Sequence, residues 1–326
     1  MEREFLALLR ADPSPVTQRI ENARLVLAKR WGVQVTYYAA THKYRRFKDK
    51  GVLDSEIPEG DPLPEAPTVA LYLDAWTFDE GEGWAIYGDD HGGHVDFSLF
   101  SLMCDEARNL GITHLLNGGD KWDGSAWSRH AKVVPATPFS DETAVQRKLR
   151  KLADATFSHE YILSGNHDKW VPKMQDGRLS PNDLKRTFLS WLDADPSRVD
   201  WSVYGYCTIR SPYLGEIRVT HPKNYSRISA NVAAKLVEKY QTHVLTFHEH
   251  NVGARLVRTD SGDKWGVAVG CMADWRGFNY IMLEDSTSPF MRQGFALLKD
   301  GLIHIYGEQG YVTTVGAFRP IGLLDT

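Results

Sequence analysis

Residues 160–168, EYILSGNHD, run from a short apolar segment straight into glycine, asparagine, histidine and aspartate. An apolar run of that length closed by glycine reads as a buried β-strand, and the polar residues then sit at its carboxyl end. Working outward, the same arrangement recurs. WAIY (84–87) leads to Gly88-Asp89-Asp90-His91, THLLN (113–117) to Gly118-Gly119-Asp120, EIRVT (216–220) to His221, and HVLTF (243–247) to His248-Glu249-His250. Amphipathic stretches at 97–111, 140–157 and 230–240 intervene and predict helices, the second opening with the early acids Asp141 and Glu142. VALYL (69–73) and YCTIR (206–210) predict further strands. Strand alternating with helix gives an α/β fold with at least partly parallel pairing. Late in the chain GARLVRT, KWGVAVG, GFALLKDG and LIHIYG, separated by Asp-Gly or Ser-Gly turns, predict antiparallel strands.

Polar groups thus follow five strands. In α/β sheets such ends converge on one crevice, so residues scattered in sequence become neighbours. Aspartate, asparagine and histidine together suit divalent transition metals. An isolated histidine or aspartate at a strand end is more often structural; five groups in succession point to a metal site.

In this order the residues resemble the calcineurin-like metallophosphoesterases, whose signature is D-x-H, G-D-x-x-D, G-N-H-D/E, a lone H, and G-H-x-H. The chain has Asp89-Asp90-His91, Gly119-Asp120-Lys121-Trp122-Asp123, Gly165-Asn166-His167-Asp168, His221, and Phe247-His248-Glu249-His250. The resemblance covers roughly residues 84–305, and its surroundings are similar to enzymes of bacteriophage and bacterial genomes. It implies a four-layer α/β/β/α sandwich of two mixed sheets with metals at one edge. Asp89, His91 and His250 would hold one ion, Asn166, His221 and His248 the other, and Asp120 would bridge them. Two divalent ions, Mn²⁺ first with Fe, Ni or Zn as alternatives, would supply a bridging hydroxide that attacks phosphorus. His167 would assist the leaving oxygen, and Asp168 would orient His167. One departure is Phe247, where the family has glycine.

Composition bounds the rest. With 326 residues and 42% hydrophobic content the chain can bury a core. It has no run of about 18 apolar residues, which argues against a membrane-spanning helix. No apolar signal core opens the sequence, and the odd, unpatterned Cys104, Cys207 and Cys271 read as reduced thiols, so a cytoplasmic setting is expected. The net charge of −4 argues against a DNA-coating protein, but it is uneven. Residues 1–50 carry eleven Lys or Arg against five acids, a balance of +6. Helical patterns at 15–30 and 35–47, about a Gly-containing turn, make this a small basic helical appendage. It is similar to a helix-turn-helix that would contact DNA; otherwise its basic face is simply solvated. The acidic, proline-rich stretch 51–67 (Pro58, Pro62, Pro64, Pro67) reads as a linker, and 68–326 as the metallophosphoesterase domain.

Two loops beside the site suit phosphate and base contact. One holds Trp127, Arg129 and His130, the other Lys223, Tyr225 and Arg227. The expected substrate is a nucleotide or nucleic-acid phosphodiester. A small-substrate enzyme, either a cyclic-nucleotide phosphodiesterase or a phosphomonoesterase or protein phosphatase, is the alternative. A non-catalytic nucleic-acid-binding module is the reading from another class, and the intact donor set speaks against it.

Overall fold

Short runs such as WAIY and HLLN are apolar on both sides because the strands they form are covered on both faces. In the computed structural model, in chain order, the strands are β1 (Thr77–Asp79), β2 (Trp84–Tyr87), β3 (His114–Asn117), β4 (His159–Ile162), β5 (Val199–Trp201), β6 (Tyr206–Ser211), β7 (Gly215–Thr220), β8 (His243–Thr246), β9 (Val252–Thr259), β10 (Gly262–Val269), β11 (Gly294–Lys299), β12 (Leu302–Gly307) and β13 (Gly310–Gly316). The helices among them are α1 (Phe97–Asn109), α2 (Phe139–Asp154), α3 (Pro181–Leu192) and α4 (Asn231–Tyr240). The structure describes residues 75–124, 126, 137–170, 180–278 and 291–316, with Phe5, Leu8, Leu9, Ile20, Asn22, Ala23, residues 25–27 and Tyr44.

Two mixed sheets result. One has the order β13-β12-β11-β2-β3-β4-β5, the other β1-β6-β7-β8-β10-β9. In the first, β2 to β5 run parallel in sequence order, while β11, β12 and β13 are antiparallel. In the second, β7, β8 and β10 are parallel, and β9 closes antiparallel on β10.

Alternation along each strand builds the layers. Trp84, Ile86 and Leu116 of the first sheet meet Ile209, Ile217, Val219, Leu245 and Val267 of the second in one core. Ala85, Tyr87 and Leu115 face the other way, onto Leu99, Phe100 and Met103 of α1 and Leu149 of α2. Leu184, Phe188 and Leu192 of α3 pack on Ile162, Val199 and Trp201. A Cβ on Gly266 of β10 would strike the backbone of Ala233 and Ala234, so α4 lies directly on the second sheet. The expected α/β/β/α order of layers is what the chain adopts. Cys104, Cys207 and Cys271 are free and buried.

The sequence reading needs amendment in places. Helix α2 runs Phe139–Asp154, starting one residue before the predicted 140–157 and ending three residues short of it. Helix α3 and strands β1, β5 and β13 were not anticipated. α3 announces itself nonetheless: Ser180 caps Asp183 N and the Asp183 carboxylate accepts from Ser180 N, with Pro181 at the first turn.

The chain divides into two units, Met1–Leu71 and Tyr72–Thr326. In the first, Phe5, Leu9, Ile20, Ala23 and Leu27 form a small buried cluster. Ile20, Ala23 and Leu27 share one helical face, whereas Leu25 and Val26 are 50% and 43% exposed on the other. The linker at 51–67, the strand at 69–73 and, apart from the helical Tyr44, the second helix at 35–47 lie outside the described residues. Among the described residues no helix is long and apolar enough to cross a membrane.

Candidate metal centre

Three loops of the first sheet and two of the second meet at the carboxyl ends of their strands. Asp89 and His91 follow β2, Asp120 follows β3, Asn166 and His167 follow β4, His221 follows β7, and His248 and His250 follow β8. Five of these residues have left-handed backbones: Asp89 (φ 52°), His91 (47°), Asp120 (52°), His248 (78°) and His250 (51°). Each such residue costs roughly 1–2 kcal/mol, and clustered strain of this kind marks functional sites.

Interlocking amides hold the turns. Asp89 N donates to Gly119 O at 2.9 Å, His91 N to Asp120 O at 3.0 Å, and His248 N to the Asp89 carboxylate at 2.9 Å. Asp120 Oδ1 accepts from His167 N at 2.8 Å. Gly165 is required here by close approach: a Cβ on it would lie 2.1 Å from Asp120 Oδ1.

The donor atoms fall into overlapping groups, each within 4.8 Å: Asp89, His91 and His250; Asp120, His221 and His248; and His91, Asp123 and His167. In the first, the two Nε2 atoms of His91 and His250 face each other at 3.1 Å, and His250 Nε2 is 3.8 Å from Asp89 Oδ1. In the second, His221 Nε2 is 3.2 Å from Asp120 Oδ2 and 3.0 Å from Asn166 Oδ1. Asp89 Oδ1 is buried without a hydrogen-bond partner, an orphaned carboxylate oxygen near ring nitrogens. This set fits divalent cations: N and O donors converge, and one lacks any other partner.

The electrostatics agree. Burial, aided by the charge of Asp120, pushes Asp89 well above the carboxylate range. Burial would depress His221, but Asp120 and Asp89 draw it up to about 9, as if the pocket sought a positive charge. Burial and the neighbouring histidines hold His250 well below the usual imidazole value and His248 at about 4, leaving both neutral and able to ligate.

His167 stands at the open side with its Nδ1 2.6 Å from Asp123 O and its ring stacked on Trp170. The expected pairing of Asp168 with His167 is not made. The Asp168 carboxylate faces inward and accepts from Asp120 N and Gly165 N, both at 2.8 Å, and from Trp122 N at 3.3 Å. It ties the β3 and β4 loops together, because the tight turn at Gly165 brings the loop amides, not the imidazole, within its reach. Asp123 takes the place beside His167: its carboxylate lies 3.8 Å from His167 Nδ1 and 3.6 Å from His91 Nδ1. Asp123 is the second aspartate of Gly119-Asp120-Lys121-Trp122-Asp123, so its signal was present without a role attached. Glu142 accepts from Gly124 N at 3.0 Å and fixes that turn.

A cleft of about 330 Å³ opens over these groups, lined by His91, Asp120, Asp123, His167, His248 and His250, with Tyr225, Glu249, Phe278 and Met291. Of the expected substrate contacts, Tyr225 lines the cleft and is 47% exposed. Lys223 and Arg227 are exposed on the same loop but do not line it, and Trp127, Arg129 and His130 lie outside the described residues. Phe278 packs edge-on against His91, and Met291 Sδ lies 3.4 Å from His250 Nδ1. Neither carries a sequence signal, since each is an apolar residue far from any motif. Phe247, where the resembled motif has glycine, is unstrained: the left-handed turn falls on His248 and His250, and its ring is wedged against Gly88 and Gly118.

No protein-family model matches the sequence, and no curated protein matches it. Among solved structures, the phosphoesterase Yfce from E. coli is similar at 10% identity and a TM-score of 0.37, covering 72% of this chain and all of that one. Vps29 from Entamoeba histolytica complexed with Zn²⁺ gives 10% and 0.38 over 72% of this chain and 99% of its own. An archaeal phosphodiesterase gives 10% and 0.34 over 69% and 99%. At that level the likeness carries no assignment, and the chemistry of the site rests on its own geometry.

Proposed function

We propose that this chain is a metal-dependent phosphoesterase of the calcineurin-like kind, hydrolysing a phosphodiester in a nucleotide or nucleic acid. The observation that carries the reading is the orphaned Asp89 Oδ1 converging with His91 and His250, beside a second group built on Asp120 and His221. Asp89, His91 and His250 would hold one divalent ion and Asn166, His221 and His248 the other, with Asp120 between them. Bound there, the ions supply Lewis-acid charge and a nucleophile at neutral pH; Mn²⁺ is the first candidate, with Fe, Ni and Zn also suited to mixed N/O donors.

The chain's own groups do the rest. Asp123 O accepts from His167 Nδ1, which fixes the proton on that nitrogen and leaves Nε2 as the free ring nitrogen of a residue that lines the cleft. In its cationic form His167 can then deliver a proton from Nε2 to a leaving oxygen, with the Asp123 carboxylate nearby to stabilise the imidazolium. Tyr225, which lines the cleft, offers a stacking face, and the exposed Lys223 and Arg227 on its loop offer positive charge to phosphates, which favours a nucleic-acid chain over a compact monoester. The basic residues of 1–50 would add sequence-independent contacts to the same chain.

The test compares bis- and mono-nitrophenyl phosphate, cyclic nucleotides, and single- and double-stranded DNA and RNA, with Mn²⁺ and with EDTA. Hydrolysis of the diesters that EDTA or Asp120→Asn abolishes is expected. Full activity in EDTA refutes the metal reading, and preference for the monoester refutes the diester one. Replacing Lys43, Arg45, Arg46 and Lys48 with Gln should weaken DNA or RNA binding and flatten its salt dependence; unchanged affinity refutes the role given to the basic arm.

A further inference from the structure

Behind the donor loops lies a set of charges that phosphoester chemistry does not use. The Lys121, Asp90, Glu160 and Arg150 side chains are each no more than 3% exposed. Lys121 Nζ donates to Tyr87 Oη at 2.8 Å, to Asp90 Oδ2 at 3.1 Å and to Glu160 Oε1 at 3.1 Å, so all its protons are engaged. Tyr87 Oη donates to Glu160 Oε1 at 2.8 Å, Asn117 Nδ2 to Asp90 Oδ1 at 3.0 Å, and Arg150 to Glu160 Oε2. Burial would lower Lys121, but Asp90 and Glu160 raise it; burial would raise Glu160, but Lys121 and Arg150 bring it to about 2. The formal charges of Lys121 and Arg150 match those of Asp90 and Glu160.

Buried ion pairs are seldom the most stable way to fill a core, so their location bears on their purpose. Asp90 stands between Asp89 and His91, and Lys121 directly follows Asp120. Glu160 is on β4, whose loop carries Asn166. One ammonium therefore ties the β2 and β3 loops, which bring three of the seven candidate ligands, all on left-handed backbones, to strand β4. Lys121 O also accepts from Gly92 N at 3.1 Å and Gln146 Nε2 at 3.0 Å. An apolar side chain of equal size would fill the volume but aim nothing.

We propose that Lys121, acting through Asp90 and Glu160, is a positioning residue of the metal centre, holding the β2 and β3 loops so that Asp89, His91 and Asp120 converge. Lys121 is sealed from the cleft and does not touch substrate. This rests on the two-ion reading, and the experiment separates the two. Full-length wild type, Lys121→Met and Asp90→Asn are compared for Mn²⁺ affinity by calorimetry, for kcat and KM on bis-nitrophenyl phosphate at saturating Mn²⁺, and for thermal midpoint. Positioning predicts a loss of about 10–100-fold in Mn²⁺ affinity and a lower kcat with little change in KM, in molecules that remain folded at the assay temperature. Affinity and kcat per folded molecule equal to wild type, at whatever thermal midpoint, overturn it. Should Lys121→Met fail to fold, Asp90→Asn, which keeps the shape and removes the charge, decides on the same readouts. If wild type itself binds no divalent ion, the two-ion reading falls and this inference with it.

Discussion

A methyl group placed on Gly118 would sit 2.1 Å from both Cδ2 and Cε2 of Phe247 and 2.6 Å from its Cγ. Carbon atoms in contact settle at about 3.5–4.0 Å, so the overlap is severe. The ring cannot swing away, because it is 1% exposed and packed among both sheets, with Gly88 on its other side. Backbone strain adds nothing, since Gly118 has no positive φ. Gly118→Ala should therefore cost the upper end of overpacking, about 3 kcal/mol, or roughly 6–12 °C in thermal midpoint for a unit of this size. Phe247→Ala should cost about 3–5 kcal/mol through the cavity it leaves. In the double variant the new methyl enters that cavity, so the double should be no less stable than Phe247→Ala alone, a favourable coupling of about 3 kcal/mol. Thermal or urea unfolding of the four proteins, followed by tryptophan fluorescence, measures it. Additivity within about 0.5 kcal/mol would refute the wedge and return Phe247 to being an unexplained departure from glycine.

Other expectations follow from single side chains. His167→Ala should keep Mn²⁺ affinity but lose about 10²–10⁴ in rate on a diester with a poor leaving group; an unchanged rate removes it as the proton donor. Asp168→Ala should destabilise the protein by at least about 1–3 kcal/mol, since three buried amides lose their acceptor, and calorimetric stability equal to wild type would contradict that tie. Glu142 is pushed to about 7 by burial, with Asp123 adding to the rise. Its folded value lies above the unfolded one, so the folded state holds the extra proton and stability falls as pH climbs through about 4.5 to 7, by on the order of 3 kcal/mol. Glu142→Gln in EDTA should lose that slope, and an identical profile of thermal midpoint against pH refutes the assignment.

The architecture was readable wherever local pattern and tertiary context agree. WAIY, HLLN and HVLT are short, apolar on both faces and followed at once by polar residues, so strand, burial and loop are written in one place. The short β1 has neither a long apolar run nor a glycine stop and reveals itself only by pairing with β6. Helix α3 was legible in its capping box and went unread because nothing chemical drew attention to it. The Asp168 expectation failed for a different reason. Adjacency in sequence does not make the pair adjacent in space: the turn at Gly165 sends the Asp168 carboxylate inward to loop amides and leaves His167 to Asp123, which lies 44 residues away. Phe278 and Met291 reach the histidines from beyond every motif, and periodicity carries no trace of such contacts.

The choice of Asp89 over Asp90 rests in sequence on motif register alone, and the oxygens of the two carboxylates give it a physical basis when set beside Glu160, Asp168 and Asp120. Asp90 has both satisfied, by Asn117 and Lys121; Glu160 has both satisfied, by Lys121 with Tyr87 and by Arg150; Asp168 has both satisfied, by backbone amides. Asp89 and Asp120 differ. Each gives one oxygen to an amide, His248 N and His167 N respectively, and turns the other toward histidine nitrogens. The amide fixes the rotamer and the second oxygen remains available beside the imidazoles, which suits a ligand carboxylate. Asp90, Glu160 and Asp168 are thus paired with Lys121 and Arg150 or bound to amides, whereas Asp89 Oδ1 and Asp120 Oδ2 have imidazoles beside them. A whole-chain charge of −4 averages over these differences, so it does not describe the field at the cleft, which depends on Asp89, Asp120 and the cations they would hold.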